Sequence, residues 1–427
     1  MEITRKRVVI TGIGICAPNG ISVPEFLHSL ENGVSGITFD EQLASLGFSC
    51  TISGTPQLPQ GHISNYLSDL EQRNFNSSGI LYGLIAGLDA WEDAGLTPSG
   101  DEPDFDSGII FGTGTSGIEK FRESIYKIDD LQTRRLGSTS VIQTMASGIS
   151  AYLGGKLGLG NIVTTNSSAC TTGTEALLLG FERIKYGQAK RILAGSTSDS
   201  GPYIWAGFDA LKVCTYKHNQ SPETGSRPMS ASASGFVPAA GSGAYVLEEL
   251  ESALERGATI YAEVLGGHVN SGGQRGQGSM TAPNPVAVRR CIASAIASSG
   301  IHANEIDAIN GHLTATAKDA LEVANWAQSL GRSGSKFPYL TSLKSMVGHC
   351  LSGSGSVEIV SALLQMKHQF IFPNLNCEDL SPDIAKVVDR ERIPVEKTDA
   401  SVNVLAKARR YHLSDANSKR QSPGSTH

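Results

Sequence analysis

Short runs of β-branched and apolar residues recur along the chain, separated by longer stretches in which apolar positions return every third or fourth residue. The first series is RVVITGIG (7–14), SGIIFGTG (107–114), NIVTTNS (161–167), RILAGST (191–197) and GAYVLEEL (243–250). A second series repeats the scheme with TIYAEVLGG (259–267), IDAINGH (306–312), FPYLTSLK (337–344) and ASVNVLA (400–406). Strands alternating with helical patterns predict α/β layering. Residues 79–95 carry the helical period and end on glycine, as a buried helix does. The repetition predicts two similar halves, 1–255 and 256–407.

One parallel between the halves is closer than the rest. TTNSSAC leads through a Gly-containing turn into TEALLLGFERIKYGQ, and YLTSLKSMVGHC leads through SGSGS into VEIVSALLQMKHQ. Each is a strand, a tight turn bearing a reactive side chain, and a largely apolar helix. A helix that is apolar almost all round is buried, which places these two between sheets. Periodicity alone does not separate this reading from an ordinary α/β pair.

At 427 residues the chain is long enough for two lobes with ample cores. Its 48 glycines, with 40% hydrophobic and 18% charged residues, describe a loop-rich globular enzyme. The formal charge of −6 gives phosphates no global attraction, which disfavours nucleic acid as a partner. Seven cysteines lie far apart with no C-x-x-C pair, against a disulfide framework or a zinc knuckle. The carboxylates and histidines form no spaced motif such as H-E-x-x-H, so no metal is expected. Gly12-Ile13-Gly14 lacks the third glycine and acidic ribose ligand of a dinucleotide turn, so a nicotinamide cofactor is not expected either. The N-terminus has no convincing cleavage site, and no run of about 18 apolar residues occurs. A cytoplasmic protein with no membrane association is the expectation.

Cys170 falls where a strand ends and a helix begins, so its sulfur faces the positive end of a helix dipole, a setting that favours thiolate. A buried, inert cysteine fits the same pattern. A thiolate alone transfers acyl groups. Forming a carbon–carbon bond also requires donors for negative charge on a thioester oxygen, a role that imidazoles suit. His312 closes the strand IDAINGH and His349 closes TSLKSMVGH, so both can converge on a nucleophile at the matching turn of the other half.

The set GTG (112–114), NSSAC-TTGTEA (166–176), NGH-LTAT (310–316) and SLK-SMVGH (342–349) resembles the β-ketoacyl-acyl-carrier-protein synthases, from Arg7 to about Leu405. The segment 227–266 also looks like the family's link between its halves. The resemblance implies the thiolase-like fold, two pseudo-symmetric halves in a five-layered α-β-α-β-α arrangement, usually as a homodimer. It implies that Cys170 accepts an acyl chain from the phosphopantetheine of acyl carrier protein, with no bound cofactor. His312 and His349 would hold the malonyl thioester oxygen during decarboxylation. Lys344 would support the histidine loop, paired with Glu322, and Glu358 would be a structural or water-ordering acid. Thr314 and Thr316 would touch the pantetheine arm, and Phe111 would line the acyl pocket. Arg134 and Arg135 are candidates for docking the acidic carrier. Two histidines separate the pattern from chain-initiating synthases, which use histidine and asparagine, and Cys350 is not placed like the second cysteine of thiolases. The activity implied is fatty-acid elongation, with a dedicated polyene or polyketide ketosynthase, or a catalytically impaired partner subunit, as alternatives.

Two departures stand out. Leu313 replaces the glycine that normally follows the first histidine, and the spacing to Glu322 is one residue shorter. ASVNVLAKA should lead into a Gly-Phe-Gly-Gly-Thr-Asn loop that supplies an oxyanion donor and a gating phenylalanine. Residues 408–427 instead form a polar, basic, aperiodic ending, expected to be disordered.

Overall fold

The computed structural model describes residues 5–273, 284–405 and 408–409, the residues at 404–405 and 408–409 by their backbone alone. Ten strands form its main sheet. They are β1 (Val8–Cys16), β2 (Ser107–Thr113), β3 (Val163–Thr164), β4 (Arg191–Ser198), β5 (Gly241–Glu249), β6 (Ala262–Val264), β7 (Ala308–Asn310), β8 (Tyr339–Thr341), β9 (Val404–Leu405) and β10 (Ala408–Arg409). Every run read as a strand contains one. NIVTTNS keeps only Val163–Thr164 in the ladder; the side chains of Thr165 and Asn166 bond Ser150 and the start of the following helix.

The helices that frame the site are α1 (Ser78–Asp93), α2 (Ile118–Asp129), α3 (Gly148–Leu157), α4 (Thr172–Lys185), α5 (Asp319–Leu330) and α6 (Ser354–His368). The sheet order is β8-β7-β9-β10-β6-β1-β5-β4-β2-β3. Counted within each set of five, both sets run 3-2-4-5-1, so the two series fold to one topology used twice. The sets meet edge to edge, where Val8, Val9 and Ile10 of β1 pair with Val264, Glu263 and Ala262 of β6.

Helix α1 covers one face of the first set, and its Leu84, Ala86 and Ala90 share a core with Ile109, Phe111 and Leu193. Helices α4 and α6 lie together on the other face, in a core that also takes Ala262, Ala308 and Leu343 from the second half. Helix α5 covers the second set through Val323 and Leu330, against Ile309 and Leu340. The result is the layered α-β-α-β-α arrangement.

The two central helices differ. Helix α6 is buried continuously from Ser354 to Met366. Its Val357, Ile359, Val360, Leu363 and Leu364 each contribute roughly 1.5–3 kcal/mol of apolar burial. Helix α4 buries one face, through Ala176, Leu177, Gly180, Phe181 and Ile184, and leaves Leu179 at 39% exposure. All-round burial therefore holds for α6 and not for α4.

Two glycines let the central helices touch at their first turns. A Cβ on Gly173 would lie 2.3 Å from the amide nitrogen of Ser356, and one on Gly355 would lie 2.7 Å from Oγ1 of Thr174. Tyr245 Oη donates to the Gly173 carbonyl at 2.6 Å and fixes the start of α4. This backbone contact brings the turns before α4 and α6, and their reactive side chains, together.

The unusual C-terminal ending begins as a strand. Ala408 and Arg409 pair with Leu405 and Val404, and Arg409 also pairs with Glu263 of β6. They occupy the position that the nine-residue β5 holds in the first half. The rest of the ending, and the disorder expected of it, lie outside the described residues.

Candidate active site

Cys170 sits in a single 3-10 turn, Ala169–Thr171, that runs directly into α4. Ala169 has a φ of 52°, a left-handed conformation that costs a residue with a Cβ about 1–3 kcal/mol and appears where function over-determines the backbone. Side chains hold the turn. Asn166 Nδ2 donates to the Thr172 carbonyl at 2.9 Å and to Glu175 Oε2 at 3.1 Å, Ser168 Oγ bonds the same carboxylate, and the Ser168 amide donates to Thr172 Oγ1. The sequence reading did not single out Glu175, although its place one turn into the helix after a cysteine was a usable signal.

His349 arrives from the matching turn before α6. Its Nε2 is 3.2 Å from Cys170 Sγ, and its ring packs edge-on to Phe236 and to His312, with centroids 5.0 and 5.3 Å apart. His349 is buried, whereas His312 faces solvent and Cys170 is half-buried. The structure thus brings together the three residues that the sequence named from distant motifs.

The Leu351 amide donates to Nδ1 of His349 at 3.2 Å. A neutral imidazole that accepts at Nδ1 carries its proton on Nε2, the atom facing Cys170. Burial pushes His349 well below the usual histidine range, and the charges on Lys344 and His312 push the same way, so the ring is neutral. His349 is therefore a hydrogen-bond donor to whatever occupies the space beside the sulfur.

Sγ of Cys170 and ring nitrogens of His312 and His349 lie within 4.8 Å of one another, a spacing that a metal ion can bridge. A metal ligand must offer a lone pair, and Nε2 of His349 carries its hydrogen instead. The cluster fits an oxygen acceptor better than a cation.

Lys344 and Glu358 form a buried ion pair, with side chains 2% and 8% exposed. Pairing of Lys344 with Glu322 was expected and is not found. Glu322 is engaged by the loop itself, its Oε1 accepting the His312 amide at 2.7 Å and its Oε2 the Leu313 amide at 2.9 Å. Burial pushes the Glu322 carboxyl up to about 7 against the pull of those amides.

Asp319, which the sequence reading passed over, anchors the rest of the loop. Its carboxylate accepts the amides of Thr314, Ala315, Thr316 and Met229 at 2.9–3.3 Å. Ala315 has a φ of 59° and Leu313 a φ of 20°. Leu313, standing where the family pattern has glycine, buries its side chain among Val323, Phe337 and Leu340. That burial offsets backbone strain of similar size. Thr314 and Thr316 are half-buried with their hydroxyls 3.2 Å apart.

Phe111 is fully buried in the core among Leu84, Ile149 and Leu153, where its ring fills space beside Gly83 and Gly195. At Cys170, burial pushes the thiol up, against the direction expected from the helix start, with Lys344 pulling it down and Glu358 raising it again. Alkylation of Cys170, followed by mass mapping, should therefore quicken about tenfold per pH unit from pH 6.5 to 8.5. A plateau below pH 7.5 would show that the helix terminus prevails. Arg134 and Arg135 are exposed on the 3-10 turn Thr133–Arg135 that follows α2.

The model of the beta-ketoacyl synthase N-terminal domain matches residues 5–253, and that of the C-terminal domain matches 261–378. The chain belongs to the beta-ketoacyl synthase family. Within it, 3-oxoacyl-[acyl-carrier-protein] synthase 1 of Escherichia coli (strain K12) is 33% identical over 405 residues, covering 94% of this chain and 95% of its own. Synthase 2 of Vibrio cholerae is 32% identical over 404 residues, covering 90% and 94%. A beta-ketoacyl synthase from Burkholderia phymatum has a TM-score of 0.84 at 25% identity, over 95% of this chain and all of the other. A type II polyketide ketosynthase solved with its acyl-carrier protein and a hexaketide has a TM-score of 0.81 at 27% identity, over 94% and 95%. Among the described residues, no helix of this beta-ketoacyl synthase is long and apolar enough to cross a membrane.

Proposed function

We propose that this chain is a 3-oxoacyl-[acyl-carrier-protein] synthase that condenses an acyl thioester with a malonyl thioester. The observation that carries the reading is the convergence of one cysteine and two histidines at 3.2 Å and 5.3 Å, with a hydrogen on the nitrogen that faces the sulfur.

In the first half-reaction the Cys170 sulfur attacks the acyl thioester carbonyl and the carrier's pantetheine thiol leaves with the cysteine's proton. Malonyl thioester then enters, with Thr314 and Thr316 beside its pantetheine arm. Its carbon–carboxylate bond breaks to release carbon dioxide, and the electrons form an enolate whose oxygen accepts hydrogen bonds from His349 Nε2 and from His312. The enolate carbon attacks the acyl carbonyl, the Cys170 thiolate departs, and a solvent proton restores the thiol. Lys344 and Glu358 hold the floor of the site, and Glu322 holds the His312 loop. Residues 1–255 supply the nucleophile and 256–407 both histidines.

The relatives named 3-oxoacyl-[acyl-carrier-protein] synthase support this reading. The likeness to a polyketide ketosynthase and to the ishigamide ketosynthase/chain length factor favours, as a second reading, a dedicated polyene or polyketide pathway. His349→Ala tests the common chemistry. It should lower malonyl decarboxylation roughly a hundredfold, the cost of one oxyanion donor, while retaining acyl transfer to Cys170. Equal decarboxylation by wild type and variant would remove His349 from the mechanism.

Carrier docking at Arg134 and Arg135 is supported by their exposure as an adjacent pair. Reversing both charges should raise the carrier KM severalfold at low salt and less at high salt. An unchanged KM would move docking elsewhere. Exposed Phe121, Ile125 and Ile128 on α2, Val141 nearby, and the open edge of β3 support a homodimer, which sedimentation analysis separates from a monomer.

A further inference from the structure

Ser354 is the first residue of α6 and is 3% exposed, as is His349 five residues before it. Its Oγ lies 2.9 Å from Nδ1 of His349, the nitrogen that already accepts the Leu351 amide. The amide hydrogen points at Nδ1, so that nitrogen offers a lone pair and the serine hydroxyl donates to it. We propose that Ser354 is a positioning residue, a second donor that holds His349 in the tautomer with its hydrogen on Nε2 and strengthens that hydrogen as a donor. This rests on the reaction proposed above.

Three features make the second donor effective. Helix α6 is buried from Ser354 to Met366, so packing has already ordered the side chain and the hydroxyl is not drawn to water. The Leu351 amide, at 3.2 Å, is the longer of the two contacts, so the two donors share the single Nδ1 lone pair with the hydroxyl the closer. Donation into Nδ1 withdraws electron density from the ring, which makes Nε2–H a better partner for a developing enolate oxygen, as linked hydrogen bonds polarise one another in low dielectric. The same donation opposes protonation of Nδ1, in line with the neutral ring. The hydroxyl bonds Nδ1 while the sulfur lies beside Nε2, so its effect passes through His349.

The test compares wild type with Ser354→Ala and Ser354→Cys, a near-isostere with a weak donor. Both variants should decarboxylate malonyl-carrier with a kcat lowered roughly two- to tenfold, the effect of one neutral hydrogen bond, with KM and the rate of Cys170 acylation within about twofold of wild type. A Ser354→Cys chain at the wild-type rate beside a slow Ser354→Ala chain would mark a packing role and overturn the proposal. Equal losses in acylation and decarboxylation would do the same. Ring signals of histidine-labelled protein, assigned with His349→Ala, supply an arm that needs no turnover. Wild type should show the Nε2–H tautomer, and Ser354→Ala should move the Nδ1 signal towards that of an unbonded nitrogen. The opposite tautomer in wild type, or an unmoved Nδ1 signal, overturns the proposal. Wild type that fails to condense would sink the functional reading and leave the Ser354 inference to the ring signals.

Discussion

Cys170→Ala should abolish acylation and condensation, a loss on the order of 10⁴-fold or more, while the protein still decarboxylates malonyl thioester at a measurable rate. The two outcomes part because the thiol serves one half-reaction only. Acyl transfer needs a covalent bond to sulfur, whereas decarboxylation needs donors for an enolate oxygen, and those are the histidines that the variant keeps. The fold should survive, since Cys170 is half-buried on a turn held by Asn166, Ser168, Thr172 and Glu175 and not by the sulfur. Mass mapping after incubation with acyl-carrier, beside carbon dioxide release from malonyl-carrier, reads both. Acylation of the variant at another cysteine, at the wild-type rate, would sink the assignment.

Lys344→Met should destabilise the protein by roughly 3–5 kcal/mol, because it removes the opposite charge beside the buried Glu358 carboxylate. The pair is buried on both sides, at 2% and 8% exposure, so neither member can recover its solvation in water. Removing both charges is a different experiment. Lys344→Met with Glu358→Leu should recover most of that loss, since a buried ion pair replaced by apolar side chains is often neutral or better. Chemical denaturation of wild type, Lys344→Met, Glu358→Leu and the double variant gives the coupling directly. A single variant within 1 kcal/mol of wild type would show that water reaches the pair. The double variant should regain stability without regaining full activity, because the Lys344 charge also lowers the Cys170 thiol and opposes protonation of His349. Stability and catalysis thus come apart at one ion pair.

The site was legible where a residue's role follows from the turn that carries it. Cys170 and His349 close matching strands in two halves that the repeated hydrophobic pattern marks and that fold to the same strand order. Lys344 was assigned the right loop and the wrong partner. Its separation from Glu358 spans a helix start, and which of two nearby carboxylates meets the ammonium depends on how α6 is rotated. The direction of the Phe111 ring was not legible for a similar reason. A strand-end aromatic points to one face or the other according to register, and here the ring turns towards α1 and α3.

The amino-acid sequence by itself determined the α/β alternation, its repetition in two halves and three candidate side chains at strand ends, because hydrophobic period and turn chemistry are local properties written along the chain; the layered arrangement and the roles of those side chains came from the family resemblance. Tertiary structure alone decided how those side chains meet and what charge each carries. Close approach of α4 and α6 through Gly173 and Gly355 sets the 3.2 Å between Cys170 and His349. The Leu351 amide chooses the histidine tautomer, and burial pushes the Cys170 thiol up, a direction the helix start alone does not give. Distances, tautomers and desolvation are sums over neighbours remote in sequence, and no local pattern encodes them.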